Sequence, residues 1–170
     1  MPRTEQLIKC ISIRQPWAWL VCAGAKDIEN RGRAPTYRGI VAVHAGANTQ
    51  AVRVLRNKDV SGSIDFSQFS LGAIIGTVEL VDVVIPPIRR LPESWAVGPY
   101  CLVFRNPQLF DDPIPHKGRL SIYTLPDETA MEVHRRIGVT DKRQSNETIN
   151  AILSIFPPGP IESRFLRPKS

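Results

Sequence analysis

A lysine, a glutamate and two arginines stand at short, regular intervals in "AGAKDIENRGR": Lys26, Glu29, Arg31 and Arg33, with Gly24 just ahead of them. A guanidinium grips phosphate or carboxylate through paired hydrogen bonds, while a lysine is a point charge or, when desolvated, a base or nucleophile. A carboxylate between the two keeps the lysine oriented or exchanges protons with it. If the segment is extended, Glu29 and Arg31 share a face, because side chains alternate along a strand. The same spacing also serves a plain ion pair that ties a helix to a strand. Upstream, "IRQPW" supplies Arg14, Gln15 and Trp17. Arg14 beside a helix start suits an anion, and the Gln15 amide can read a base edge or a carbonyl. Trp17 either stacks on a base or fills the core. Arg38 is a further cation for phosphate, and Tyr37 a second stacking surface.

These residues need a frame. Leu7 to Ile13 alternates and is rich in Ile, which predicts a first strand. "QPWAWLVCAG" predicts a short helix, with Pro16 in its first turn, Trp17, Leu20 and Val21 on one face, and Gly24 at the C-terminal cap. "DIENR" is a polar alternating piece that carries the charges, and "RGIVAVHAG" is a strand. "NTQAVRVLRNK" predicts a helix capped by Asn48 or Thr49. "GAIIGTVELVDVVI" predicts a long strand bent at Gly76. "PYCLVFRNPQL" and "GRLSIYTL" are two further strands around a proline-rich turn, "DDPIPHKG". After Pro126 the pattern turns helical, with "DETAMEVHRRIG" and "SNETINAILSIF" followed by an extended, proline-rich basic tail. The expected architecture is α+β: a compact mixed barrel over residues 7–125 with short flanking helices, then a C-terminal helical extension and basic tail over 126–170.

The chain has 170 residues and a formal charge of +6. The charge is concentrated in two places. Arg14 to Arg38 holds five basic and two acidic residues, and Val133 to Ser170 seven and three. Such foci fit either a polyanion partner or ordinary solvated charge. Cys10, Cys22 and Cys101 lie in apolar runs without a CxxC pair, which predicts buried thiols in a reducing compartment. No apolar run reaches membrane-spanning length and the first residues lack a signal-peptide core, so the expectation is a soluble cytoplasmic protein with no membrane partner. His, Cys, Asp and Glu nowhere fall at ligand spacing, and no phosphate loop is present, so neither metal nor cofactor is expected. His44 ends its strand without an evident Ser or Cys partner and reads as a satisfied strand residue. Glu79 and Asp82 interrupt an apolar strand on opposite faces, which would turn one of them toward a cleft.

The GxKxxExR pattern of Gly24, Lys26, Glu29 and Arg31 resembles the signature of the ASCH domain family (activating signal cointegrator homology). "SIRQPWAWLV", "YRGIVAVHAG", "GAIIGTVELVDVV" and "NPQLFDDPIPHKGRLSIYTL" resemble further blocks of that family in the same order, over about residues 8 to 125. The resemblance implies a β-barrel of the PUA-like superfamily, with the motif's charges presented in a cleft and a role in RNA binding, coactivation or RNA processing. Two functions of different kinds follow. In one, the chain is a module whose cleft takes RNA, single-stranded nucleic acid or a nucleotide, held by Arg14, Gln15, Trp17, Lys26, Glu29, Arg31 and Arg38. In the other, it is a small hydrolase in which Lys26 acts as base or nucleophile and Glu29 as its proton partner. Family members that remove the acetyl group from N4-acetylcytidine use a lysine, a threonine and a glutamate; Lys26 matches the lysine, but Glu29 stands at the threonine's position. Ribonuclease activity is proposed for other members. A third possibility is an interaction domain whose C-terminal helices dock a protein partner.

Overall fold

The computed structural model describes residues 7–86, 94–139 and 146–159. The elements are β1 (Lys9–Ile13), α1 (Trp17–Cys22), β2 (Ile28–Arg31), β3 (Gly39–Ala45), α2 (Gln50–Lys58), β4 (Ala73–Val84), β5 (Tyr100–Pro115), β6 (Ile122–Thr124), α3 (Asp127–Arg136) and α4 (Asn146–Ile155). The strands form one sheet in the order β2-β5-β4-β3-β1-β6. Only β1 and β3 run parallel; the other pairs are antiparallel. The sheet curls into a partly closed barrel, and the fold is α+β.

Strand alternation sends side chains to two cores. Ile11 and Ile13 of β1 and Val41, Val43 and Ala45 of β3 point to the larger one, with α1 and residues of α2 and α4. Cys10 and Ala42, one residue out of phase, point to a smaller core completed by Val133 of α3. The sheet is thus buried on both faces. All six residues of α1 are buried, where the sequence suggested a single apolar face. "WAWLVC" contains no charged residue, and the curl of the sheet encloses it from the sides that an ordinary surface helix leaves to water.

The bend in β4 falls where Gly76 predicts it, between shifts of register against β5. A Cβ on Gly76 would lie 2.0 Å from the Gln108 carbonyl oxygen and 2.9 Å from Cys22 Sγ, so glycine lets α1 approach the strands. The proline-rich turn is not a turn. Residues through Pro115 continue β5, with Pro115 opposite Ala73 and Ile114 opposite Ile74. The physical reason is that β2 pairs only with residues 100–103. Beyond them one edge of β5 carries no partner strand among the described residues, which is where a strand accepts proline. The second strand of that predicted pair shrinks to Ile122–Thr124.

Both C-terminal helices pack on the body. Gln108 Nε2 donates to the Arg136 carbonyl at 2.9 Å, anchoring α3 to β5. Thr148 of α4 accepts from the Asp65 amide at 3.3 Å, and Phe156 lies against Trp17 at a ring separation of 5.4 Å. The basic tail falls outside the described residues. Cys10, Cys22 and Cys101 are buried, and none forms a disulfide among the described residues. No helix among the described residues is long and apolar enough to cross a membrane.

Candidate functional site

The charged motif is positioned by the end of α1. Gly24 adopts φ +81, the Gly24 amide donates to the Val21 carbonyl at 3.2 Å, and the Ala25 amide to the Leu20 carbonyl at 2.9 Å. This double closure is the Schellman motif, which needs a left-handed residue after the cap. The Lys26 amide also reaches the Leu20 carbonyl, at 3.1 Å. The chain therefore reverses under the helix and carries the Lys26 side chain inward, where the residue is 1% exposed. Lys26 Nζ donates to the Ile28 carbonyl and lies 3.3 Å from Glu29 Oε2. The Trp95 ring covers it, with its centroid 5.2 Å from Nζ.

β2 delivers the rest. Glu29 bridges two cations, Lys26 through Oε2 and Arg31 through Oε1, the latter at 3.4 Å. Arg31 Nη2 also donates to the Ser12 carbonyl at 2.6 Å, fastening β2 to the end of β1. Asn30 performs a positioning task that the sequence did not reveal. Its Nδ2 donates to the Trp95 carbonyl at 2.8 Å, and its Oδ1 accepts from the Val97 and Gly98 amides, both at 2.9 Å. That clamp holds the loop bearing Trp95 over Lys26. The only sequence signal was a second polar residue inside the motif, with no indication of its distant partner.

A cavity of about 290 Å³ opens above this chain of charges, lined by Ser12, Ile13, Arg14, Trp17, Glu29, Asn30 and Arg31. Four of the seven sequence-selected residues meet here: Arg14, Trp17, Glu29 and Arg31. Lys26 lies behind Glu29 and contributes through it. Gln15 is fully buried with both ends of its amide engaged: Oε1 accepts from the Trp19 amide at 3.0 Å and Nε2 donates to the Ser70 carbonyl at 3.0 Å. It caps the first turn of α1, whose own N-cap position is a proline. Arg38 is exposed and donates to the carbonyls of Pro35 and Tyr37 at 3.0 and 2.9 Å, away from this cavity.

Three buried side-chain nitrogens among the described residues lack a hydrogen-bond partner: Trp17 Nε1 and Arg31 Nε, from residues that line the cavity, and Trp19 Nε1, from one that does not. An unpartnered buried donor costs about 1–3 kcal/mol. With the exposed Arg14 guanidinium, the cavity wall offers donors and positive charge against the single, already bridged carboxylate of Glu29. Neither Glu79 nor Asp82 joins it. Glu79 accepts from Asn106 Nδ2 at 2.6 Å, and Asp82 caps the next backbone amide at 2.8 Å.

His44 finds the partner that the sequence did not show. Its Nδ1 lies 3.0 Å from Ser12 Oγ, and its Nε2 is 2.8 Å from the His116 carbonyl. Burial holds its imidazole below the usual 6.5, opposed by the bond to that carbonyl. Among the described residues no group of three or more His, Cys, Asp or Glu could hold a metal ion.

Comparison with known proteins shows the family of the chain. The profile of the ASCH domain matches residues 11–136, and so includes α3. Activating signal cointegrator 1 from Homo sapiens is 29% identical over 134 residues, which is 68% of this chain and 22% of that protein. The Mus musculus protein of the same name is 30% identical over the same share. The match thus spans about a fifth of the length of these curated relatives. Among solved structures, ASCH from Zymomonas mobilis aligns over 76% of this chain and 94% of its own, at 15% identity and a TM-score of 0.48. With its family profile matched from β1 to the end of α3, the chain belongs to the ASCH domain family.

Proposed function

We propose that the cavity above the Lys26–Glu29–Arg31 chain binds a nucleotide of RNA or another single-stranded nucleic acid. The observation that carries this reading is a cavity of about 290 Å³ walled by Arg14, Trp17 and Arg31, whose one carboxylate, Glu29, is already paired with Lys26 and Arg31. A ligand rich in acceptors, as every base and phosphate is, would meet a net positive wall. The volume suits one base or mononucleotide, and bases splayed out of single strands are what proteins read in RNA. The family resemblance, with its implied role in RNA binding, points the same way.

Within this reading Lys26 is a positioning residue. Its ammonium is enclosed by Ile28, Glu29 and Trp95 and fixes the Glu29 carboxylate, which in turn orients Arg31. The hydrolase reading needs Lys26 to meet substrate, and its side chain has no exposure and is absent from the cavity lining.

The test is a titration with short labelled single-stranded RNA across salt. Each phosphate contact should add about −0.7 to the slope of log affinity against log salt. Arg14→Ala should flatten that slope by roughly one contact while leaving the fold intact. Binding that ignores salt would sink the proposal. Release of acetate from N4-acetylcytidine, lost in Lys26→Met, would favour the hydrolase instead.

A further inference from the structure

A second cavity, of about 570 Å³, lies at the open seam of the barrel, between β1, β6 and the segment that joins β2 to β3. Arg31 lines it as well as the first, so the two cavities adjoin at that residue. Their walls differ. The second presents Ile11, Leu102, Ile122 and the Tyr37 ring, with Leu120 standing 94% exposed at its edge. Lys9, Arg31 and Arg33 also line it, and no acidic residue does. The Tyr37 ring is held in place from two sides. Its hydroxyl donates to the Ile40 carbonyl at 2.9 Å, and Gly39 sits so close that a Cβ there would lie 2.8 Å from that oxygen. An aromatic ring fixed in this way is a platform on which a planar group stacks with little loss of side-chain freedom.

We propose that this second cavity seats the nucleotide adjacent to the one in the first, so that the ligand is a strand of at least two nucleotides crossing Arg31. The inference rests on the reading of the first cavity and adds the register of the strand. One nucleotide lies in the first cavity against Arg14, Trp17 and Arg31. The linking phosphate passes Arg31 and Arg33, and the next base lies on Tyr37, Ile122 and Leu120. An apolar floor walled by cations alone is complementary to a base carrying phosphate, since the base supplies a π-face and the phosphate the charge. A free mononucleotide would use only half of this surface.

The experiment compares adenosine monophosphate with the dinucleoside monophosphate ApA and its deoxyribose counterpart, each titrated into the full chain. A dinucleotide should bind about tenfold more tightly than the mononucleotide, from the stacking of one base, although it carries less negative charge. A gain with the ribose form alone assigns RNA, and a gain with either sugar assigns single strands generally. Leu120→Glu and Arg33→Glu, both at exposed positions, should each remove that gain, and Leu120→Glu, which meets no phosphate, should leave mononucleotide affinity where it was. Equal affinity for mono- and dinucleotide, with mononucleotide binding weakened by Arg31→Lys, would overturn the second seat and leave the first. A dinucleotide gain that survives both surface substitutions would overturn it too, by placing the second base elsewhere. Failure of all three probes to bind would remove the first reading and this one together.

Discussion

Two polar clusters lie on either side of β1, and Ser12 belongs to both. Its carbonyl accepts from Arg31 on the side of the cavity, while its hydroxyl meets His44 on the other. On the His44 side no buried side-chain nitrogen or oxygen among the described residues lacks a partner. The His116 carbonyl can only accept, so His44 Nε2 carries the proton and Nδ1 accepts from Ser12 Oγ. His116 Nε2 and Tyr123 Oη are 3.0 Å apart, and Cys10 bonds to Tyr123 in turn, while burial pushes its thiol up to about 11. Gly118 closes the cluster so tightly that a Cβ there would lie 2.5 Å from both His44 and Ser12 Oγ. On the Arg31 side two buried donors stay without partners beside a cavity. Buried polar groups in native proteins are nearly always satisfied, and the exceptions call for a reason. The difference teaches that the first cluster is a closed latch for the strand ends, while the second borders an open cavity.

The contrast breaks most sharply at Glu29. Glu29→Gln leaves the Lys26 ammonium, whose side chain has no exposure, with only the Ile28 carbonyl and the Trp95 face. Removing one partner of a buried ion pair should lower stability by about 3 kcal/mol. Urea unfolding measures this directly, and a loss under about 1 kcal/mol would mean that the bridge is dispensable. A smaller effect is expected at Arg31. Arg31→Lys keeps a cation opposite Glu29 but removes the forked donors of the guanidinium, so mononucleotide affinity should fall about tenfold, the worth of one hydrogen bond to a charged group. Isothermal titration reads it, and unchanged affinity would detach the Arg31 guanidinium from binding. On the latch side the pattern should reverse. Tyr123→Phe removes a partnered hydroxyl and should cost about 1 kcal/mol of stability while leaving affinity untouched.

The charged cluster was legible in the sequence because it is local. Gly24, Lys26, Glu29 and Arg31 fall within eight residues, and helix cap, reversal and strand alternation fix their relation without knowledge of the rest. What the sequence could not show lies at long range. Trp95 and Asn30 are 65 residues apart, and His44 and Ser12 are 32 apart. Gln15 was misleading for the same reason, since nothing near it announces that Ser70 will take its amide. Burial of Lys26 was equally hidden, because the depth of a side chain under a helix end depends on the strands that wrap it. The fold reading failed where proline was taken as a breaker, and where α1 was given a single apolar face. Pro113 and Pro115 extend β5 because the neighbouring strand β2 is four residues long and stops short of them.

The smallest expected effect separates the clusters by pH. His44 and His116 both titrate below the usual 6.5, His44 through burial and His116 through burial and the charges of His44 and Arg119. Between the folded values and 6.5 the unfolded chain binds protons that the folded chain refuses, so stability rises with pH there. The contribution of the neutral imidazoles is complete above 6.5 and lost as pH falls through their folded values. Glu132 acts in the same direction only below 4.5, because its bond to Arg136 lowers it from there. Unfolding followed from pH 7.5 down to 5 should therefore show a falling midpoint that the His44→Asn/His116→Asn double variant flattens. Lys26→Met, on the other side of Ser12, should lower the whole curve without changing its slope in that window. A slope that survives removal of both histidines would show that the pH response does not come from the latch, and would leave the unpartnered donors as the sole distinction between the two faces of β1.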